Sequence, residues 1–129
     1  MKYIILFGLM FSMVGCWDIQ EELPNGYIYS TESSQEMWIQ KNPLSINSKS
    51  YIPCKILEYQ YNKRYILAKI KFHYDMNCVV GFEESKMLTE GKIYYYIIDT
   101  QKHVRYGAYE NISDFNYKLK ELKINLRFK

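Results

Sequence analysis

Alanine is almost missing from this chain: Ala68 and Ala108 are the only two among 129 residues. With that scarcity go 14 Tyr and an abundance of Ile, a composition that favours strands over helices. An excess of charge is missing too. There are 17 basic and 14 acidic side chains, and losing Lys2 with a leader would leave a balance of +2. Such a near-neutral chain lacks the field expected of a nucleic-acid binder. Histidine occurs only as His73 and His103, and no serine sits in a Gly-x-Ser-x-Gly elbow. Nothing therefore suggests a nucleophile and a base held in reach of each other by a third group. Paired Cys-x-x-Cys motifs are absent, and Cys54, His73, Asp75 and Cys78 do not have the spacing of a structural zinc site. These four are read as loop residues, and Glu83 with Glu84 as a solvated turn. The expectation is a non-enzyme with no catalytic residue, no cofactor and no metal. No internal repeat or low-complexity segment is present.

What is present begins at the N-terminus. Lys2 precedes an apolar run of a dozen residues over 3–14, broken only by Gly8 and Ser12. A helix that spans a bilayer core needs about 20 residues, so this run is a targeting segment to be set aside from the fold. It ends in Met13-Val14-Gly15-Cys16, which resembles the lipobox of bacterial lipoproteins, with Met13 where Leu is usual. The resemblance implies cleavage after Gly15 and diacylglycerol on the thiol of Cys16. Two or three acyl chains anchor stably where one binds reversibly. The expected organisation is a signal peptide over 1–15, a lipid-anchored tether over 16–24 and one domain over 25–129. Residues 17–23 (WDIQEEL) would reach about 25 Å if extended, keeping the domain near the membrane. Residue 17 is Trp, not the Asp that resembles an inner-membrane retention signal. The expected location is thus the cell envelope, on the outer membrane if the host has two.

With Cys16 assigned to lipid, Cys54 and Cys78 remain. In an exported protein they form either a disulfide or two buried thiols. A bridge would add roughly 3–4 kcal/mol on the chain-entropy estimate.

Along the chain, Pro24-Asn25-Gly26 is a turn. Residues 27–31 and 37–39 read as two strands across a polar tip, and 41–50 as a polar loop. The clearest hairpin has arms 54–61 and 64–72 around Asn62-Lys63. Leu57, Tyr59 and Tyr61 share one face of the first arm. Ile66, Ala68, Ile70 and Phe72 share one face of the second. A period of two with polar residues between predicts a sheet with one buried face. Val79-Val80 suits a short strand and residues 83–89 a helical turn. Residues 92–99 (KIYYYIID) are apolar on both faces and read as a central strand. The chain turns at 100–103 and returns through 104–106, with Gly107 ending that strand. Ser113 is the expected N-cap of a closing helix whose Phe115, Leu119 and Leu122 recur at i, i+4, i+7. Residues 124–128 are a tail or a last edge strand. The fold class is α+β, an antiparallel sheet of about five to seven strands covered by one C-terminal helix.

Several of these pieces together resemble a group of small bacterial lipoproteins classed as a domain of unknown function. They are Leu23-Pro24-Asn25-Gly26-Tyr27, Tyr65-Ile66-Leu67-Ala68-Lys69, Tyr95-Tyr96-Ile97-Ile98-Asp99, Val104-Arg105-Tyr106-Gly107 and Phe115. Ala108 stands where that group commonly has Pro. The resemblance implies a secreted, lipid-anchored α+β domain and supplies no activity, substrate or site residue.

Two functions fit. One is a non-catalytic envelope lipoprotein, held to the membrane through Cys16, that binds a protein or an envelope polymer such as a glycan and no nucleic acid. The other is an inhibitor or immunity-type lipoprotein that shields the cell from a lytic enzyme or toxin. No ligand-binding residue can be named. The tyrosines Tyr94, Tyr95 and Tyr96 read first as β-sheet packing residues with wet hydroxyls. Three or more of Tyr27, Tyr29, Tyr59, Tyr61, Tyr94 and Tyr96 in one exposed flat patch would instead mark an interaction site.

Overall fold

Tyrosine and isoleucine alternating with polar side chains build eight strands, and a computed structural model describes them through residues 19–33, 36–41, 51–74 and 86–129. Strands β1 (Ile19–Glu22), β2 (Tyr27–Thr31), β3 (Met37–Lys41) and β4 (Tyr51–Ile52) form one antiparallel sheet in that order. Strands β5 (Ile56–Tyr61), β6 (Tyr65–Lys71), β7 (Ile93–Asp99) and β8 (Val104–Tyr109) form a second. Among the described residues one long helix, α1 (Ile112–Glu121), follows the strands. The class is α+β as expected, but among the described residues the strands number eight and divide into two sheets of four.

The layers follow from which side chains share a core. Tyr27, Ile39 and Ile52 of the first sheet pack with Ile66, Ala68, Ile70, Tyr94, Tyr96 and Ile98 of the second. On the second sheet's other face, Leu67 and Ile97 pack under Phe115, Leu119 and Ile124. The second sheet therefore lies between the first sheet and the helix. Burial from both sides explains why β7 is apolar at every position from Tyr94 to Ile98.

Local departures from the sequence expectation have local causes. Residues 16–24 were expected as a tether, yet Ile19–Glu22 pairs with β2 as strand β1, so the folded unit already includes Ile19. A bulge between Ile56 and Glu58 breaks the period of β5 and turns Leu57 outward, 45% exposed, away from the face of Tyr59. Gly107 does not end β8; the strand runs on to Tyr109 through a register shift opposite Tyr95 and Ile97. At Gly107, φ is +117° and a Cβ would stand 2.6 Å from the Tyr95 carbonyl oxygen, so only glycine lets the strand continue. The helix cap is Asn111, whose side chain accepts from the Ser113 backbone N–H at 2.7 Å, and Ser113 itself lies inside the first turn. Residues 124–128 form no strand; Ile124 is buried, and Leu126 and Phe128 pack against the helix core. The expected strand at 79–80 and the first three residues of the turn at 83–89 lie outside the described residues, as does the loop over 42–50.

Candidate functional site: three turns at one end

Strand register brings three turns of the chain to one end of the layers. In the first, Leu23 N–H donates to the Tyr27 carbonyl at 2.8 Å, while Asn25 and Gly26 take φ of 56° and 87°. Asparagine and glycine are the residues that tolerate this left-handed region most readily. In the second, Asn62 Oδ1 accepts from the backbone N–H groups of Arg64 and Tyr65 at 2.9 and 2.8 Å. In the third, Asp99 Oδ1 accepts from the N–H groups of Gln101 and Lys102, each at 3.1 Å. In the second and third a short polar side chain closes its own turn, whereas the first is closed by the backbone.

Side chains then bond the turns to one another. Arg64 grips Asp99 with two donors, Nε to Oδ1 at 3.1 Å and a terminal nitrogen to Oδ2 at 2.8 Å. The pair is adjacent because Tyr65 stands opposite Asp99 across β6 and β7. Thr100 donates both its backbone N–H, at 2.8 Å, and its hydroxyl to the Arg64 carbonyl. Asn25 Nδ2 reaches the Thr100 hydroxyl at 2.8 Å and the Lys63 carbonyl at 3.4 Å. The Tyr27 hydroxyl lies 3.1 Å from Nδ1 of His103, and the two rings are stacked. An open depression of about 240 Å³, lined by Glu22, Leu23, Gly26, Tyr27 and Ile28, adjoins the first turn.

The network holds Asp99 as a carboxylate. Burial alone would raise its pKa, but the Arg64 guanidinium and the N–H groups of Lys102 and Gln101 more than offset this and hold it below the usual aspartate value. With both oxygens occupied and the pKa lowered, Asp99 is poorly placed to take a proton as a general base. What the cluster does is brace three turns into one rigid end.

A second feature leads to that end. Tyr29 of β2 stacks on Tyr59 of β5, ring centroids 4.6 Å apart, and Tyr59 is nearly parallel to Tyr61 at 6.4 Å. Tyr59 also donates its hydroxyl to Glu21 of β1. This ladder crosses the seam between the sheets and stops at Tyr61, next to the Asn62 turn. Tyr29 and Tyr59 are half-buried and Tyr61 is 42% exposed. The other three tyrosines weighed in the sequence, Tyr27, Tyr94 and Tyr96, are core residues.

Of the residues singled out by sequence, Cys16, Asp75, Cys78, Glu83 and Glu84 lie outside the described residues. Cys54 is fully buried beside Trp38 and Tyr51 and is disulfide-bonded, its partner also lying outside them. His73 pairs with Glu90 at 3.1 Å, far from His103 in the chain. Among the described residues no three His, Cys, Asp or Glu side chains gather as a metal site. Sequence reading missed Arg64, Asn25 and Thr100. Their one visible signal was that each sits in a turn next to a strand end, and which ends meet is written only in the register.

The architecture defines a class, two antiparallel sheets and one helix in three layers. The chain belongs to a family described as a protein of unknown function (DUF3997), which matches it over residues 24–129. Comparison with curated proteins and with solved structures finds no match.

Proposed function

We propose that this is a lipid-anchored, non-catalytic envelope protein that binds another protein or an envelope polymer. The anchor is the lipid on Cys16, inferred from the short apolar leader and the tetrad that ends it. The signal peptide covers 1–15 and the mature chain works in the envelope, on the outer membrane where there are two. Cys54 and Cys78 are the bridged pair, since Cys16 carries lipid. The near-neutral charge argues against nucleic acid as a partner, and no cofactor or catalytic residue is invoked.

One observation carries the binding role: the Tyr29–Tyr59–Tyr61 ladder ends in a partly exposed ring beside turns already locked by hydrogen bonds. Rigid aromatic rings give large contact area with little side-chain entropy to lose on binding, and pre-ordered turns lower that loss further. The same braced end favours the inhibitor or immunity reading, because a locked turn enters a cleft without first being ordered.

Two measurements test the proposal. Palmitate-analogue labelling is expected to disappear in Cys16→Ala. A photo-crosslinking residue at position 61 in intact cells is expected to give a recurrent adduct that one at position 117 does not. Persistent labelling of Cys16→Ala would remove the anchor, and identical adduct patterns would remove the ladder. A deletion strain more sensitive to lytic enzymes would select the inhibitor reading.

A further inference from the structure

Charge is distributed unevenly between the two ends of the molecule. The braced end carries Lys63 and Lys102 on exposed turn positions and Arg64 between them. Asn25 bonds both the Lys63 carbonyl and Thr100, so the turns bearing Lys63 and Lys102 are direct neighbours. The helix adds to the same end. Phe115 packs on Tyr109, and Lys118 sits 4.7 Å over the Tyr106 ring, so α1 runs antiparallel to β8. Its last turn therefore points toward the Val104 and Asp99 end and brings Lys120 and Lys123, both exposed. Among the described residues the acids here are mostly spoken for: Asp99 by Arg64, and Glu121 by Lys118 at 2.6 Å. Among the described residues no ion pair there engages Lys63, Lys102, Lys120 or Lys123. Glu22, beside the first turn, is the opposing charge.

The same end faces away from the point where the chain enters the fold. Ile19 pairs with Thr31 and Glu22 with Ile28, so β1 starts at the opposite end and runs toward the braced turns. A lipid on Cys16, three residues before Ile19, therefore leaves Lys63 and Lys102 on the side away from the bilayer.

We infer that this cationic end binds a phosphate-bearing envelope polymer, with Tyr61 beside it for contact with the polymer's less polar backbone. The inference rests on the proposed anchor for its orientation. Charge complementarity is the argument: unpaired ammonium groups on a rigid frame meet a repeating anion, and the nearby bilayer is on the other side. Such binding is screened by salt.

The test uses the full-length acylated chain in neutral detergent with poly(glycerol phosphate) as the probe. Wild type is expected to bind it, more weakly as salt rises. K63E/K102E is expected to weaken binding at least about tenfold, given the contribution of each lysine at an anionic surface. K120E/K123E should act in the same direction. K55E/K71E, at the far end of β5 and β6, should change affinity less than about twofold, since exposed charges separated by more than a Debye length are screened from one another. All these sites are at least partly exposed, and thermal unfolding of each variant confirms that the fold is kept.

No binding by wild type, equal losses in K63E/K102E and K55E/K71E, or tighter binding to DNA of matched charge would each overturn the inference. Loss of palmitate labelling in Cys16→Ala is read separately, so failure here leaves the anchored reading standing.

Discussion

The two ends of this molecule spend their polar groups differently. At the braced end Asp99 and Thr100 are buried, and the bonds that tie them to the other turns join residues 35 to 75 positions apart. At the other end the ion pairs sit in solvent. Lys92 lies 3.1 Å from Glu110, both about half exposed, and His73 lies 3.1 Å from an exposed Glu90. There the Glu90 carboxyl is held below its usual range mainly by the Tyr74 backbone N–H, then by His73. Water competes for every one of those contacts. A buried polar group has no such alternative, so losing its partner costs far more. The end with the buried network is the one that can hold a fixed shape against solvent.

The contrast can be broken by mutation. Asp99→Ala should have the largest effect, about 2 kcal/mol in urea unfolding at pH 7, because it strips the turn of its acceptor and leaves Arg64 unpaired. Asn25→Ala comes next, about 1–2 kcal/mol, from two lost hydrogen bonds and a left-handed backbone that alanine resists. Lys92→Ala at the other end should stay within about 0.5 kcal/mol. If Lys92→Ala matched Asp99→Ala, the distinction between the ends would be lost.

Acid sharpens the same contrast. Asp99 has a folded pKa below its unfolded one, so between the two the unfolded chain binds more protons and stability rises with pH. The Asp99 contribution is fully present above the ordinary aspartate value of about 3.9 and is lost as pH falls through its own lower value. Unfolding followed from pH 6 to pH 2 should show wild type losing stability more steeply than Asp99→Asn in that acid range. Parallel curves would mean the Arg64 grip adds nothing. The smallest effect should come from Tyr61→Ala, within about 0.5 kcal/mol in stability, because its ring is partly wet. Its influence is expected in partner capture instead.

Much of the frame was legible along the chain. The strand at Tyr27–Thr31 was read with its observed bounds, and the hairpin of β5 and β6 to within two residues at each end. Leu57 was misplaced because a bulge changes the period without any glycine or proline to announce it. Ser113 was expected as the cap and Asn111 takes that place, because both are good capping residues and the position that caps depends on where helical geometry begins. Strand β4 escaped notice because two residues carry no period. The candidate site was not legible. Arg64 and Asp99 each look like an ordinary charged residue beside a turn until β6 and β7 are aligned.

Sequence alone determined where β2, β3, β5, β6, β7 and β8, the turns between them and the closing helix form, because alternation, turn residues and caps act over a few neighbouring positions. It also determined that β7 would be covered on both faces. Only the tertiary structure decided that eight strands split into two sheets and that the helix covers the second. It alone decided that three distant turns meet in a buried, charged knot. Those outcomes depend on which strand edges pair and on what burial then does to a carboxylate, and such long-range contacts leave no local pattern to read.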